Sequence, residues 1–178
     1  MLALLNILAR INGLIERAVM VLGALLVALA VVVVFGGAVT RHLTGIGYSF
    51  VLELPPMLMP WLVFPVAGAL LRGDRHIAVD FLPERLGSGP RRALRIVVSV
   101  IALLAALIFA NAGAEAVALF RDTGQLTEME IEFPIWWMYL SFPVGFAILA
   151  SFALENLLYA ISGLEPAQVS AFGPDMSE

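Results

Sequence analysis

The chain has 178 residues, of which 61% are hydrophobic and only 13% charged, and its formal net charge is −4. A soluble domain this apolar would aggregate, and so weakly basic a chain offers no surface for nucleic acid. It has no Cys, which excludes disulfides, thiolate metal sites and thiol catalysis, and its two histidines are His42 and His76.

Four stretches, 18–40, 54–71, 96–114 and 133–154, contain no Asp, Glu, Lys, Arg or His. Each holds 18 to 23 residues, which at about 1.5 Å of helix rise per residue matches the roughly 30 Å of a bilayer's hydrocarbon core. Lipid offers no partners to the backbone of an open strand, and no alternating ten-residue pattern marks a barrel, so these are helices. The fold class is an all-α membrane protein with four transmembrane helices. Residues 1–164 are expected to form one membrane domain, with 165–178 as an acidic, flexible tail.

Ahead of the first span, Leu4, Leu8, Ile11 and Ile15 recur at helical spacing, with Asn6, Arg10 and Arg17 elsewhere around the wheel. Two arrangements fit: an amphipathic helix lying on the membrane surface, or a first span that starts early and protrudes. The span itself is too long for the apolar core of a secretion signal and reads as a retained anchor.

All ten cationic side chains are arginines. Eight lie in the N-terminal segment and the 72–95 loop, and two, Arg41 and Arg121, lie on the other side. The positive-inside rule therefore predicts both termini in the cytoplasm, an N-in/C-in topology, with the 41–53 and 115–132 loops outside.

Span two carries Pro55 and Pro56 at its entry and Pro60 and Pro65 in its interior. Entry prolines cost little, and Glu53 just before them favours the positive end of the helix dipole. Interior prolines each delete a main-chain hydrogen bond, so this helix is expected to be bent or loosened, either as a shaped partner surface with Gly68 or as a bend alone. In span three, Ala102, Ala106, Ala110 and Ala114 form a stripe that permits close helix approach, and Asn111 is a candidate for a hydrogen bond across helices. Trp136, Trp137 and Tyr139 open span four as interface anchors.

The uncharged stretches exclude several chemistries. Proton and ion carriers rely on an ionisable group at membrane depth. Haem bundles need paired axial ligands, and Ser99, Ser141 and Ser151 have no base in the stretches to activate them. No catalytic, cofactor or metal residue is assigned, and the chain is not expected to be an enzyme.

The segment from Phe35 to Leu86 carries a recognisable pattern: Arg41 after span one, Glu53 and Leu54 opening span two, then Arg72, Gly73, Asp74, Arg75, His76, Ile77, Ala78, Val79 and Asp80. A second pattern runs through Pro134, Ile135, Trp136, Tyr139, Leu140, Pro143, Gly145 and Phe146. Together with the four spans, these resemble the small membrane subunit of tripartite ATP-independent periplasmic (TRAP) transporters, the DctQ-like family, from about residue 14 to 160. Phe50 stands in place of the family's entry Trp, Leu54 in place of a second acid, and the extra prolines mark a divergent branch.

The resemblance implies a scaffold in the cytoplasmic (inner) membrane of a bacterium or archaeon. Its implied partners are a large TRAP membrane subunit, which holds the sodium and substrate sites, a periplasmic binding protein that captures an organic acid, and membrane phospholipids. It offers Arg41, Glu53, Pro60, Pro65, Gly68, Arg72, His76, Asp80, Arg91, Arg92, Pro134, Trp136, Tyr139, Pro143 and Gly145 as motif positions or contacts to partner or lipid. The other readings are a stand-alone oligomeric channel or exporter, and an assembly factor for another membrane complex.

Overall fold

The computed structural model describes residues 2–72, 88–130 and 132–163. His76, Asp80, Arg75, Arg85 and the acidic tail lie outside the described residues. Among the described residues four helices follow one another: α1 (Leu2–Thr44), α2 (Phe50–Arg72), α3 (Ser88–Thr123) and α4 (Trp136–Ser162). All four are long and apolar enough to cross a membrane, as the uncharged stretches predict.

α1 settles the question at its front end. It is one unbroken helix of 43 residues, about 65 Å long at the standard rise, or roughly twice the hydrocarbon thickness. The first span therefore starts early and protrudes, and no turn separates a surface helix from it. No proline interrupts it, because the first proline of the chain is Pro55. Leu5, Asn12 and Val19 are buried at seven-residue steps, so a narrow heptad-like seam of α1 meets the other helices. Most of its remaining surface is exposed and apolar, Val32 and Phe35 among it.

α2 begins at Phe50, earlier than the uncharged stretch, and stays helical through all four prolines. α4 is the central element. It packs extensively against α3 on one side and α2 on the other, while α1 packs on α2 and touches α4. Among the described residues neither α1 nor α2 packs extensively on α3, so the helices form a curved row in the order α1, α2, α4, α3 rather than a closed bundle.

Small residues let the row close up, as helix packing without a hydrophobic driving force requires. A Cβ on Gly145 would stand 2.5 Å from the backbone carbon of Phe64, and one on Gly68 would stand 3.2 Å from the backbone nitrogen of Leu149. On the α3 side, Gly113 lies against Phe142 and Pro143, and Ala106 of the alanine stripe is fully buried. Phe64, Phe109, Phe142 and Phe146 fill the middle of the row as an aromatic cluster, with Phe64 and Phe142 meeting edge to face at 4.8 Å.

Candidate functional site

Among the described residues, the strongest concentration of polar chemistry lies where the front of α1, the end of α2 and the end of α4 converge. Helical spacing delivers its side chains in pairs. Asn12 and Glu16 are four apart on α1, Ser151 and Glu155 are four apart on α4, and each pair therefore shares a face. Arg72, the last residue of α2, reaches between them.

The Arg72 guanidinium uses all three of its nitrogens. Nε donates to Glu155 Oε2 at 3.0 Å and Nη2 to Glu155 Oε1 at 3.2 Å, a bidentate grip. Nη1 donates to Glu16 Oε2 at 2.6 Å, and Nη2 also donates to the main-chain carbonyl of Ala9 at 3.0 Å. Gly13 lies beneath, where even a Cβ would come 3.6 Å from Nη1, and Cζ stands 5.8 Å from the centre of the Phe152 ring.

Asn12 ties α1 directly to α4. Its amide nitrogen donates to Glu155 Oε2 at 2.6 Å and to the Ser151 carbonyl at 3.2 Å, and its carbonyl oxygen accepts from the Ser151 hydroxyl at 2.7 Å. Asn12 is fully buried and Glu155 only 4% exposed. Among the described residues no buried side-chain polar atom lacks a partner, which is the condition under which a buried ionic cluster holds its geometry instead of weakening the fold.

Two carboxylates against one guanidinium leave the cluster a formal charge of −1. Burial on its own would lower the Arg72 pKa, but the hydrogen bonds and charges of Glu155 and then Glu16 outweigh it and raise it above the ordinary arginine value. Arg72 therefore stays charged at every physiological pH, and its contribution to stability would be lost only in strong alkali. Its position, two residues past the Leu70 end of the apolar span, also sets its charge against the negative end of the α2 dipole.

The sequence pointed to Arg72 but not to its partners. Glu16 and Glu155 lie just outside the uncharged stretches, where a charge reads as the end of a span, and Asn12 is an uncharged polar residue in a segment whose pattern is carried by its apolar residues and arginines. The available signal was the pair of four-residue steps, Asn12 to Glu16 and Ser151 to Glu155, at span ends that share one side with Arg72. Arg72, a candidate for contact with partner or lipid, turns its guanidinium inward onto Glu155 and Glu16.

Arg92, at the start of α3, donates from Nε to the Ala160 carbonyl at 3.0 Å and from Nη2 to the Ile161 carbonyl at 2.6 Å. It thereby satisfies the last carbonyls of α4, which ends at Gly163 with a φ of 69°. Arg91 beside it is exposed.

The opposite end of the row is stitched by main chain and carboxylates. The Glu130 N–H donates to Glu53 Oε2 at 3.0 Å, and Glu130 Oε2 in turn accepts from the Phe50 N–H at 3.1 Å, capping the first turn of α2. The Trp61 indole donates to the Trp137 carbonyl at 3.1 Å. Pro134 pairs with Leu126 across the loop, Trp136 lies 6.0 Å from the Arg121 guanidinium, and Tyr139 stacks on Phe120 at 4.3 Å. Arg41 is exposed on the last turn of α1.

Within the row, Pro65 is buried and Pro60 half-buried, while Gly68, Pro143 and Gly145 belong to the helix seams described above. Asn111 does not bridge helices: its amide donates to Glu115, four residues on along the same helix, at 2.9 Å.

Comparison with known proteins places this architecture. The family model for tripartite ATP-independent periplasmic transporters, DctQ component, matches residues 30–163, a range that takes in Arg72, Ser151 and Glu155 and leaves Asn12 and Glu16 ahead of it. The ectoine TRAP transporter small permease protein TeaB of Halomonas elongata is 29% identical over 149 residues, which cover 84% of this chain and 74% of that protein. No solved structure matches the chain. With the family model spanning most of its length and four membrane-crossing helices in place, the chain is a multi-pass inner-membrane protein and belongs to the DctQ family, the small permease subunits of TRAP transporters.

Proposed function

We propose that this subunit is a fixed scaffold for a large TRAP membrane subunit, which carries the substrate and sodium ions. A periplasmic binding protein delivers the substrate, an organic acid, to that assembly. The observation that carries this reading is the clamp at Arg72. Its ionisable groups are paired with one another across three helices, and a group so engaged is a structural fastener, not a free relay for protons or ions. The close seams at Gly145 and Gly68 support the same reading, because a tightly interlocked row resists the rearrangement that alternating access demands.

The test is reconstitution in liposomes. The chain alone should show no uptake and no sodium flux. With the large subunit and the binding protein, sodium-driven uptake should appear for one of a panel of carboxylates that includes ectoine, the compound in the relative's name. Flux through the isolated chain would overturn the scaffold assignment.

A further inference from the structure

Between α1 and α2, at the end of the row away from the clamp, runs an open apolar groove of about 280 Å³. Val32, Val33, Gly36 and Gly37 of α1 form one wall, and Tyr48 and Val51 form the other. It exists because two glycines stand side by side in α1. Gly37 is filled by Val51 of α2, whereas a Cβ on Gly36 would meet no atom within 4 Å. The helices therefore touch at Gly37 and part beside Gly36.

The groove has a charged end. Arg41 follows Gly37 by four residues and so continues the same row of α1, and its Cδ lies 3.6 Å from where a Cβ on Gly47 would stand, next to Tyr48. Among the described residues no carboxylate lies within 4.0 Å of Arg41. His42 stands beside it in the last helical turn. An apolar slot inside a membrane-crossing segment thus ends at an unpaired cation at the segment's edge.

We propose that this groove holds one acyl chain of a membrane phospholipid, with the lipid phosphate paired to Arg41. The dimensions select a chain over a helix. About 280 Å³ is some nine times the roughly 30 Å³ that one water occupies in the liquid, enough for a run of methylenes. A helix with its side chains is about 10–12 Å across and would not enter. Charge selects a phospholipid over an uncharged apolar molecule, since an arginine at the interface gains a charge-assisted hydrogen bond from a phosphate oxygen.

The experiment is native mass spectrometry of the full chain released from nanodiscs of phosphatidylcholine and phosphatidylglycerol. The wild type should retain one phospholipid. Gly36→Leu fills the slot where there is open space, so helicity and melting should be unchanged while retention falls roughly tenfold or more, as expected from excluding a few methylenes. Ala38→Leu, with the same bulk on the other side of α1, should retain lipid as the wild type does. Arg41→Gln should lower retention several-fold with the groove intact. Absence of retained phospholipid, or equal retention in the wild type and Gly36→Leu, would overturn the proposal, as would indifference to Arg41→Gln. Unchanged lipid retention in Gly36→Leu with loss of a co-purifying membrane protein would assign the groove to that protein.

Discussion

At the scale of single residues, the clamp makes unequal predictions for its members. Arg72 and Glu155 have side chains only 13% and 5% exposed, so truncating one strands a buried charge, at a cost of about 3–5 kcal/mol. Arg72→Leu should therefore lower the midpoint of unfolding in mixed detergent micelles sharply. The double variant Arg72→Leu/Glu155→Leu should recover much of the loss, since neither charge is then left unpaired. Glu16, 35% exposed, is screened by solvent, and Glu16→Gln should cost about 1 kcal/mol or less. Asn12→Leu removes the amide that faces both Ser151 and Glu155 and should cost about 1–3 kcal/mol. A midpoint for Arg72→Leu equal to the wild type would show that the cluster does not hold the helices together.

At the scale of helices, the spans were legible because a bilayer imposes a length and a polarity that any window can read. The seams were not, because which face of a helix meets which neighbour depends on crossing geometry. Gly68 illustrates the difference. Its place in a proline-rich helix made it a candidate for meeting a partner subunit, yet it is taken up by the Leu149 backbone of α4. A leucine there would disturb this chain's own α2–α4 packing before reporting on any partner. The alanine stripe was legible for the same reason that glycine seams were not, since a regular four-residue repeat stands out and an isolated Gly145 does not. Gly145 should be the less tolerant site. Gly145→Val would drive side-chain carbons into the Phe64 main chain, which cannot rotate away, so the variant should express poorly and elute as aggregate in detergent. Gly36→Val, facing open space, should behave as the wild type on the same column. A monodisperse, normally melting Gly145→Val protein would mean that α2 and α4 can separate without cost.

At the scale of the whole molecule, the contacts sort the charged and polar groups by end. Asn12, Glu16, Arg72, Glu155 and Arg92 gather at one end, and Arg41, Glu53, Arg121 and Glu130 at the other. This is what four antiparallel crossings require. The arginine bias across the loops supplies the direction, because cationic flanks are retained in the cytoplasm while acidic ones have little influence. Two arginines, Arg72 and Arg92, are spent on internal contacts in the folded state, but the bias acts on the chain as it inserts, before those contacts form. The clamp end should therefore be cytoplasmic. With no native Cys to remove, the test needs one substitution at a time: Glu128→Cys, exposed in the loop before α4, and Gly89→Cys, exposed at the start of α3. A membrane-impermeant maleimide should label Glu128→Cys in cells with a permeabilised outer membrane and an intact inner one, and should reach Gly89→Cys only after the inner membrane is disrupted. The opposite pattern would place Arg41 and its groove in the cytoplasmic leaflet and turn the clamp end toward the periplasm, against the arginine bias.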